Sequence, residues 1–185
     1  EKELVKDFNI CSLDKIIEIP LGFNLDRFSE NNLSKRKLFR EEFNLSRDEI
    51  AIGIVGRLTH IKNQKFFLKV LNNIKNKTSR KIRAFIIGDG EDRIELESYA
   101  NNHQIGFTNN ESIIHDKLLC FTSWRKDMDY VYAGLDIVCL ASLNEGTPVT
   151  LIEAQAASKP IVSTDVGGVR DVVLDKVSAF LIKKK

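Results

Sequence analysis

Residues 144–153, Asn-Glu-Gly-Thr-Pro-Val-Thr-Leu-Ile-Glu, are the stretch that decides the fold of this chain. An apolar run, 135–140, precedes them, and a run of strong helix formers, 151–157, follows. This order predicts a strand, a tight turn and a helix, with Pro148 in the first helical turn, where its missing N–H costs nothing. Gly146 would let the backbone approach a ligand closely. The free N–H groups and partial positive charge of the helix N-terminus suit a phosphate.

Two carboxylates stand eight positions apart in this stretch. Glu145 would lie at the mouth of the turn, and Glu153 about a turn and a half into the helix, so both could converge on one bound molecule from different sides. The alternative is a pair of surface glutamates near a helix start. The residues alone leave both interpretations open.

Apolar runs alternate with helical patterns along the rest of the chain. Runs that are apolar nearly throughout are typical of buried parallel strands, and they occur at 50–55, 82–87, 118–121, 135–140, 159–163 and 179–182, with 16–19 as a further candidate for an edge strand. Helical patterns cover 33–43, 64–75, 91–102, 126–133, 149–157 and 168–174, and residues 101–111 are expected to form a polar connector. The alternation predicts an α/β fold, a doubly wound, mostly parallel sheet with helices on both faces. Ligands of such sheets bind beyond the carboxyl ends of the strands, where the strand order reverses.

The composition is that of an ordinary soluble globular domain. The chain has 185 residues, of which 43% are hydrophobic and 29% charged, and a net charge of +2 that gives no argument for nucleic acid. Its three cysteines, Cys11, Cys120 and Cys139, are far apart and are expected to be free thiols in a reducing compartment. With no signal peptide and no apolar run near 18 residues, we expect a cytoplasmic protein without a transmembrane segment.

The glutamate stretch resembles the Glu-x7-Glu signature of the GT-B-fold retaining glycosyltransferases of the family-4 type, also called glycosyl transferases group 1. Four other segments resemble motifs of this family and occur in the family's order. Two of them are Ile-Pro-Leu-Gly-Phe-Asn-Leu-Asp-Arg-Phe at 19–28, and Val-Gly-Arg-Leu at 55–58 with Lys-Asn at 62–63. The other two are Ile-Gly-Asp-Gly at 87–90 and the stretch 154–173, which contains Lys-Pro-Ile-Val and Asp-Val-Gly-Gly. The sequence departs from the family at Ser158, where Gly is common, at Leu21-Gly-Phe-Asn24, where Asn-Gly-x-Asp is common, and at 176–179, where a Gly is missing.

The resemblance implies the C-terminal, donor-binding half of a GT-B enzyme, whose active site lies in the cleft between two doubly wound domains. It implies a nucleotide-sugar-binding domain over residues 16–185, with 1–15 as a linker or the end of a preceding segment. The N-terminal acceptor domain and the final helices of the fold would lie outside this sequence. We therefore expect an excised domain that binds nucleotide but transfers little sugar by itself.

Two cations follow the first long apolar run. Arg57 comes directly after Gly56, and Lys62 lies five residues further on, where a helix should begin. A guanidinium gives bidentate bonds to phosphate and an ammonium gives a point charge, so together they could clamp a diphosphate. The resemblance implies that they hold the nucleotide diphosphate and stabilise its charge as it leaves. The alternative is a solvated loop.

The resemblance also implies roles for the glutamate turn. Glu153 would accept hydrogen bonds from the ribose hydroxyls, and Glu145 would face the donor sugar, either by binding it or by steadying positive charge at its anomeric carbon. The segment between the two glutamates would contact the sugar or phosphate through its backbone N–H groups, with the hydroxyls of Thr147 and Thr150 as secondary candidates. Its residues are Gly146, Thr147, Pro148 (which has no N–H), Val149 and Thr150.

The base should lie near the end of the run at 118–121. Ser123 and Trp124 follow it, and Trp124 could stack on a base or only fill the core, while Arg125 and the next lysine could serve the base edge or solvent. An Asp-x-Asp pattern at 127–129 lies at a helix start, where carboxylates favour the macrodipole, so we expect no metal site there. No histidine spacing or dinucleotide fingerprint is discernible, and we expect neither a cofactor nor a metal requirement.

The sequence therefore predicts transfer of a sugar, with retention, from a UDP-, GDP- or ADP-sugar to a hydroxyl of a glycan, lipid-linked glycan or polyol held by the N-terminal domain. The full-length protein would be cytoplasmic, or peripheral at the inner face of the membrane. Two alternatives keep the same fold. One is an epimerase or hydrolase of nucleotide sugars, and the other is a non-catalytic module that binds them. A domain without any nucleotide site is the remaining alternative.

Overall fold

One parallel sheet of seven strands organises the chain. A computed structural model describes residues 3–17, 19, 21–109 and 117–183. The strands are Ile50–Val55 (β1), Ile82–Ile87 (β2), Phe107–Asn109 (β3), Leu119–Ser123 (β4), Ile137–Leu140 (β5), Ile161–Thr164 (β6) and Phe180–Ile182 (β7). Their order is β3-β4-β2-β1-β5-β6-β7, and each neighbouring pair is parallel. The predicted doubly wound α/β fold is confirmed.

Helices cover both faces of this sheet, and they are Asp26–Ser29 (α1), Asn32–Glu42 (α2), Gln64–Ile74 (α3), Arg93–Asn102 (α4), Met128–Gly134 (α5), Val149–Ala156 (α6) and Val169–Val172 (α7). The buried side chains of strand β2 alternate between the two faces of the sheet. Phe85 and Ile87 pack into a core with residues of α2, α5 and α6. Ala84 and Ile86 pack into a second core with residues of α3 and α4. Burial on both faces explains why the strand is apolar at nearly every position.

The strand order reverses between β1 and β5. On one side of β1 the chain forms β2, then the edge strand β3, and then β4 between those two. It crosses afterwards to the other side of β1 and forms β5, β6 and β7. The carboxyl ends of β1 and β5 therefore border a crevice of the kind in which open α/β sheets bind ligands. Of the predicted site residues, those at 56–62 follow β1 and those at 145–148 follow β5. The predicted residues at 149–153 lie in α6, and Ser123 and Trp124 lie at the end of β4.

The sequence-based assignment is wrong in three places. Residues 107–109 form the edge strand β3 where a connector was expected, and Phe107 packs edge-on against Phe121 of β4, with ring centroids 5.3 Å apart. Ile17 and Ile19 belong to no strand and are 83% and 80% exposed, while residue 18 lies outside the described residues. The short helix α1 was not predicted. The rest of the 101–111 connector from residue 110 on also lies outside the described residues.

The cysteines are free, as expected. Burial raises the pKa of Cys120, and it raises the pKa of Cys139 to about 12, so neither thiol ionises readily at neutral pH. Within the described ranges, no helix is long and apolar enough to cross a membrane.

Candidate functional site

Close backbone packing shapes the carboxyl ends of β1 and β2. The Gly56 amide donates to the Ile87 carbonyl at 2.9 Å, and the Leu58 amide donates to the Asp89 carbonyl at 2.9 Å. A Cβ atom on Gly88 would lie 2.1 Å from the Gly56 carbonyl oxygen, and the φ of Gly88 is +132°. Only glycine fits there. The two loops are thus locked together at the edge of the crevice.

Arg57 projects from this locked loop into solvent. Its side chain is 67% exposed, and its guanidinium lies 3.2 Å from the Glu91 carboxylate, which is itself 57% exposed. The buried Gln64 amide donates to the Arg57 carbonyl at 2.9 Å and holds the backbone in place. Because an exposed ion pair contributes little, the guanidinium can exchange Glu91 for another anion at small cost.

Lys62 and Glu145 meet across the point where the strand order reverses. Lys62 ends the 3-10 turn His60–Lys62, directly before α3, and its ammonium lies 2.7 Å from Glu145 Oε1. The Ser142 hydroxyl donates to the same oxygen at 2.6 Å. The Glu145 side chain is 8% exposed and that of Lys62 29%. The structure therefore brings together two residues, 83 positions apart, that the sequence predicted for one site.

The turn that contains Glu145 packs against the loop after β6. The Gly168 amide donates to the Glu145 carbonyl at 2.9 Å. A Cβ on Gly167 would lie 1.9 Å from the Glu145 carbonyl oxygen, and one on Gly168 would lie 1.9 Å from that of Gly146. The pair of glycines is thus required by close backbone contact, and it fixes the position of the turn.

The turn leads into α6 with unused backbone donors. Pro148 is buried and lies directly before the helix, whose first residue is Val149. The Val149 amide donates to the Thr147 carbonyl at 2.9 Å. The amides of Gly146, Thr147 and Thr150 donate to no other described residue. Gly146 and Thr147 are exposed, so these N–H groups can receive an anion at the helix N-terminus.

Glu153 lies half-buried on α6, as predicted, and faces two residues from other helices. Burial raises the pKa of Glu153, whereas the Tyr132 hydroxyl of α5 and the Arg27 guanidinium of α1 act to lower it. The Tyr132 ring is fully buried and packs edge-on against Phe28 of α1, with centroids 5.7 Å apart. The carboxyl group is therefore placed by the packing of three helices.

At the end of β4, the Trp124 ring is exposed and the Ser123 hydroxyl is hydrogen-bonded within the protein. Trp124 is 63% exposed beside the crevice. The Ser123 hydroxyl donates to the Asp89 carboxylate, and the Ser123 carbonyl accepts from the Gly88 amide at 2.9 Å. The hydrogen bond from Ser123 is the main cause of the lowered pKa of Asp89. Ser123 thus holds the β2 loop, and Trp124 is the residue of this pair with an open face.

Both carboxylates of the Asp-x-Asp pattern form ion pairs with cationic side chains of the protein. Arg125 pairs with Asp127 and with Glu42 of α2, and the hydrogen bond that Arg125 donates to Glu42 is the main reason why the pKa of Arg125 is raised. Asp129 lies 2.9 Å from the Lys35 ammonium. Across the part of the chain that the structure describes, no group of three His, Cys, Asp or Glu side chains could hold a metal ion.

Sequence reasoning passed over two residues that contact the predicted ones. Ser142 donates to Glu145, and Tyr132 interacts with Glu153. Ser142 does follow a predicted strand end, which is a weak signal for a site residue. Tyr132 lies in an apolar helical pattern and carried no signal that separates it from a core aromatic.

Comparison with known proteins gives consistent findings. The family model described as glycosyl transferases group 1 matches residues 35–185. The D-inositol 3-phosphate glycosyltransferase of Xylanimonas cellulosilytica is 30% identical over 181 residues, which are 93% of this chain and 40% of that protein. The crystal structure of Anabaena Alr3699/HepE in complex with UDP and glucose is similar with a TM-score of 0.75 and 20% identity, over 89% of this chain and 42% of that one.

One solved structure matches over most of both chains. It is the C-terminal domain of the glycosyl transferase group 1 family protein LpcC from Francisella tularensis, with a TM-score of 0.67, 22% identity, and coverage of 89% of this chain and 81% of that one. By contrast, the chain spans about two-fifths of the length of the curated relatives it matches. The similarity therefore covers one domain-sized part of longer proteins.

Proposed function

This chain belongs to the family of glycosyl transferases group 1, and we propose that it is the domain of a retaining glycosyltransferase that binds the nucleotide-sugar donor. The observation that carries the proposal is the meeting of Lys62 and Glu145, 2.7 Å apart, at the reversal of strand order. Free amides of the helix N-terminus and the exposed Arg57 lie in the loops beside them. Cations, anion-binding amides and a carboxylate thus border one crevice.

Positive charge for the diphosphate comes from Arg57 and Lys62. On leaving, the diphosphate gains negative charge, which a guanidinium and an ammonium stabilise more than they stabilise the intact donor. The amides of Gly146 and Thr147 would add hydrogen bonds to the sugar or the phosphates. Because two side-chain cations supply this charge, the proposed reaction requires no metal ion, and chelators are expected to leave it unchanged.

The remaining contacts serve the nucleoside and the sugar. The half-buried Glu153 would accept hydrogen bonds from the ribose hydroxyls, and Trp124 would stack on the base with its exposed ring. Glu145 would face the sugar once Lys62 turns to the diphosphate. The Ser142 hydroxyl, which donates to Glu145, would keep the carboxylate oriented meanwhile.

UDP is the first nucleotide to test, since HepE has been solved with UDP and glucose. The acceptor would be a hydroxyl of a glycan, a lipid-linked glycan or a polyol, held by a part of the protein outside this sequence. Closure of that part over the donor would exclude water and complete the site. Residues 1–185 alone are therefore expected to bind nucleotide and to transfer sugar poorly.

Calorimetric titration with UDP, GDP and ADP tests the proposal, on residues 1–185 and on the full-length protein. One nucleotide should bind, and binding should be lost in the double variant Arg57→Ala, Glu153→Ala. The matched control, Arg80→Ala with Glu95→Ala, removes the same two residue types at exposed positions away from the crevice and should bind normally. Failure of the full-length protein to bind any of the three would refute the proposal. Release of free sugar without an acceptor would indicate a hydrolase instead.

A further inference from the structure

Two buried hydroxyls beside Glu153 have no hydrogen-bond partner among the described residues. They are those of Tyr132 on α5 and Thr150 on α6. Thr150 lies three residues before Glu153 on the same helix, so the two side chains share one helical face. Leaving a buried hydroxyl unpaired costs free energy, so each one calls for a functional or structural reason.

Tyr132 is the more demanding case, because its side chain is fully buried. Its ring contacts Phe28 of α1, which is 2% exposed, and this edge-on packing fixes the direction of the hydroxyl. A phenylalanine would fill the same space without burying an unpaired oxygen. The pKa of Tyr132 is raised mainly by burial and secondly by the Glu153 carboxyl, which is the charged group that acts on this hydroxyl.

We propose that Tyr132 is a positioning residue: its buried hydroxyl, which is unpaired among the described residues, donates a hydrogen bond to Glu153 when the nucleotide binds and so directs the carboxylate to the ribose diol. The inference rests on the proposed function, because it assumes that Glu153 binds the ribose. A carboxylate has four acceptor sites and can bond Tyr132 while it accepts from two vicinal hydroxyls. Formation of this bond on nucleotide binding would also satisfy a buried hydroxyl that is otherwise unpaired, and that gain would add to the affinity for the diol.

The test compares UDP with 2′,3′-dideoxyuridine diphosphate on the full-length protein. GDP or ADP, with its own dideoxy counterpart, replaces UDP if it binds more tightly. Tyr132→Phe should weaken UDP binding about tenfold, the equivalent of about 1.4 kcal/mol, and leave the affinity for the dideoxy nucleotide unchanged. A purely structural role of Tyr132 would weaken both nucleotides equally. Tyr130→Phe, on the same helix, removes a partly exposed hydroxyl and should change neither affinity.

The pH dependence of binding provides a second readout. The groups that act on the Glu153 pKa are Tyr132 of α5 and Arg27 of α1, and both lower it. Loss of the tyrosine hydroxyl should therefore raise the pKa of Glu153. Since a protonated carboxyl accepts hydrogen bonds from the diol more weakly than a carboxylate does, UDP affinity in Tyr132→Phe should fall at a higher pH than in the wild type as the solution is acidified.

Glu153→Gln separates the possible failures. It should lose the preference for UDP over the dideoxy nucleotide, and adding Tyr132→Phe to it should cause little further loss, because the two residues act as one unit. An unchanged UDP affinity in Tyr132→Phe, or equal loss for both nucleotides, would overturn the inference and leave nucleotide binding intact. A wild type that does not distinguish the two nucleotides would do the same. Only the absence of UDP, GDP and ADP binding would overturn the proposed function as well.

Discussion

Cations lie at both ends of the parallel strands. The amino ends of the strands form what we call the amino edge of the sheet, and the carboxyl ends form the carboxyl edge. The cations of the two edges differ in how many contacts they make with the protein. At the amino edge, Arg36 donates to the Gly134 carbonyl at 3.0 Å and to Asp136 at 2.6 Å. Arg40 donates to the same carboxylate and to two carbonyls, and Lys159 donates to the Ala133 carbonyl at 2.8 Å. The two arginines each make several hydrogen bonds to the protein and Lys159 makes one to a backbone carbonyl, so these cations serve the fold.

The cations of the carboxyl edge have few internal contacts. Arg57 has one exposed ion-pair partner, and Lys62 has one buried carboxylate. Backbone amides nearby donate to no described residue. The carboxyl edge therefore has hydrogen-bond donors that the described part of the fold does not use, which is what the proposed nucleotide site requires. The difference between the edges predicts that substitutions at the amino edge change stability and substitutions at the carboxyl edge change ligand affinity.

The largest effect on stability is expected for Asp136→Asn. The Asp136 carboxylate accepts from Arg36, from Arg40 and from the Ala51 amide at 2.8 Å. Removing one partner of a largely desolvated pair costs about 3 kcal/mol, which urea unfolding at pH 7 would measure. UDP affinity should remain unchanged. Asp48→Asn is the control: its carboxylate is exposed, so the urea midpoint of this variant should stay close to that of the wild type.

The same variant should flatten the acid side of the stability profile. Burial would raise the pKa of Asp136, but the Ala51 amide and Arg36 outweigh it and lower the pKa. A carboxyl group with a lowered folded-state pKa stabilises fully above its unfolded pKa of about 4 and loses that contribution as the pH falls further. If Asp136→Asn keeps the acid slope of the wild type or loses UDP binding, the contrast between the two edges fails.

Gly168→Ala tests the carboxyl edge through its backbone. The new Cβ would meet the Gly146 carbonyl oxygen at 1.9 Å, whereas the φ of Gly168 is −78°, so the cost is steric contact alone. We expect a loss of about 2 kcal/mol from overpacking together with weaker UDP binding, because the Glu145 turn must move. Thermal unfolding and calorimetry measure the two effects. At Gly22 an added Cβ meets open space, so Gly22→Ala should change neither stability nor UDP affinity.

Much of the fold follows from local sequence, because strands buried on both faces are apolar throughout. Six strands and six helices were predicted on that basis. Strand β3 has three residues, too few to show a pattern, and it exists because Phe107 packs on β4. Ile16, Ile17 and Ile19 show the converse, since these β-forming side chains belong to no strand and have no partner strand in the described part of the chain.

The location of the candidate site follows from strand ends that the sequence predicts, whereas its side-chain contacts do not follow from the sequence. Arg57, Lys62 and Glu145 stand at strand ends, and that position in a parallel sheet is already a site signal. Which side chains meet depends on tertiary packing. Ser123 was expected at the base but holds Asp89, and Tyr132 gave no sign in the sequence that its hydroxyl would face Glu153.

Glu145→Gln should have the smallest effect and an unusual sign. Lys62 is paired with Glu145, so under the proposed function a nucleotide diphosphate would have to compete with Glu145 for the Lys62 ammonium. Removing the carboxylate charge frees the lysine, so UDP should bind about fivefold more tightly, in line with about 1 kcal/mol for a partly exposed ion pair. UDP-glucose should gain less, because it loses its contact with the carboxylate. Calorimetry with both ligands measures the ratio of the two changes.

Adding Lys62→Met to Glu145→Gln decides whether the lysine is the cause. If Lys62 carries the gain, the double variant should bind UDP no more tightly than Lys62→Met alone. A weaker affinity for UDP in Glu145→Gln would instead mean that the carboxylate orients the lysine toward the phosphates. In that case Lys62 would be bound into the fold as tightly as the cations of the amino edge, and ligand binding would depend on Arg57 and the helix amides.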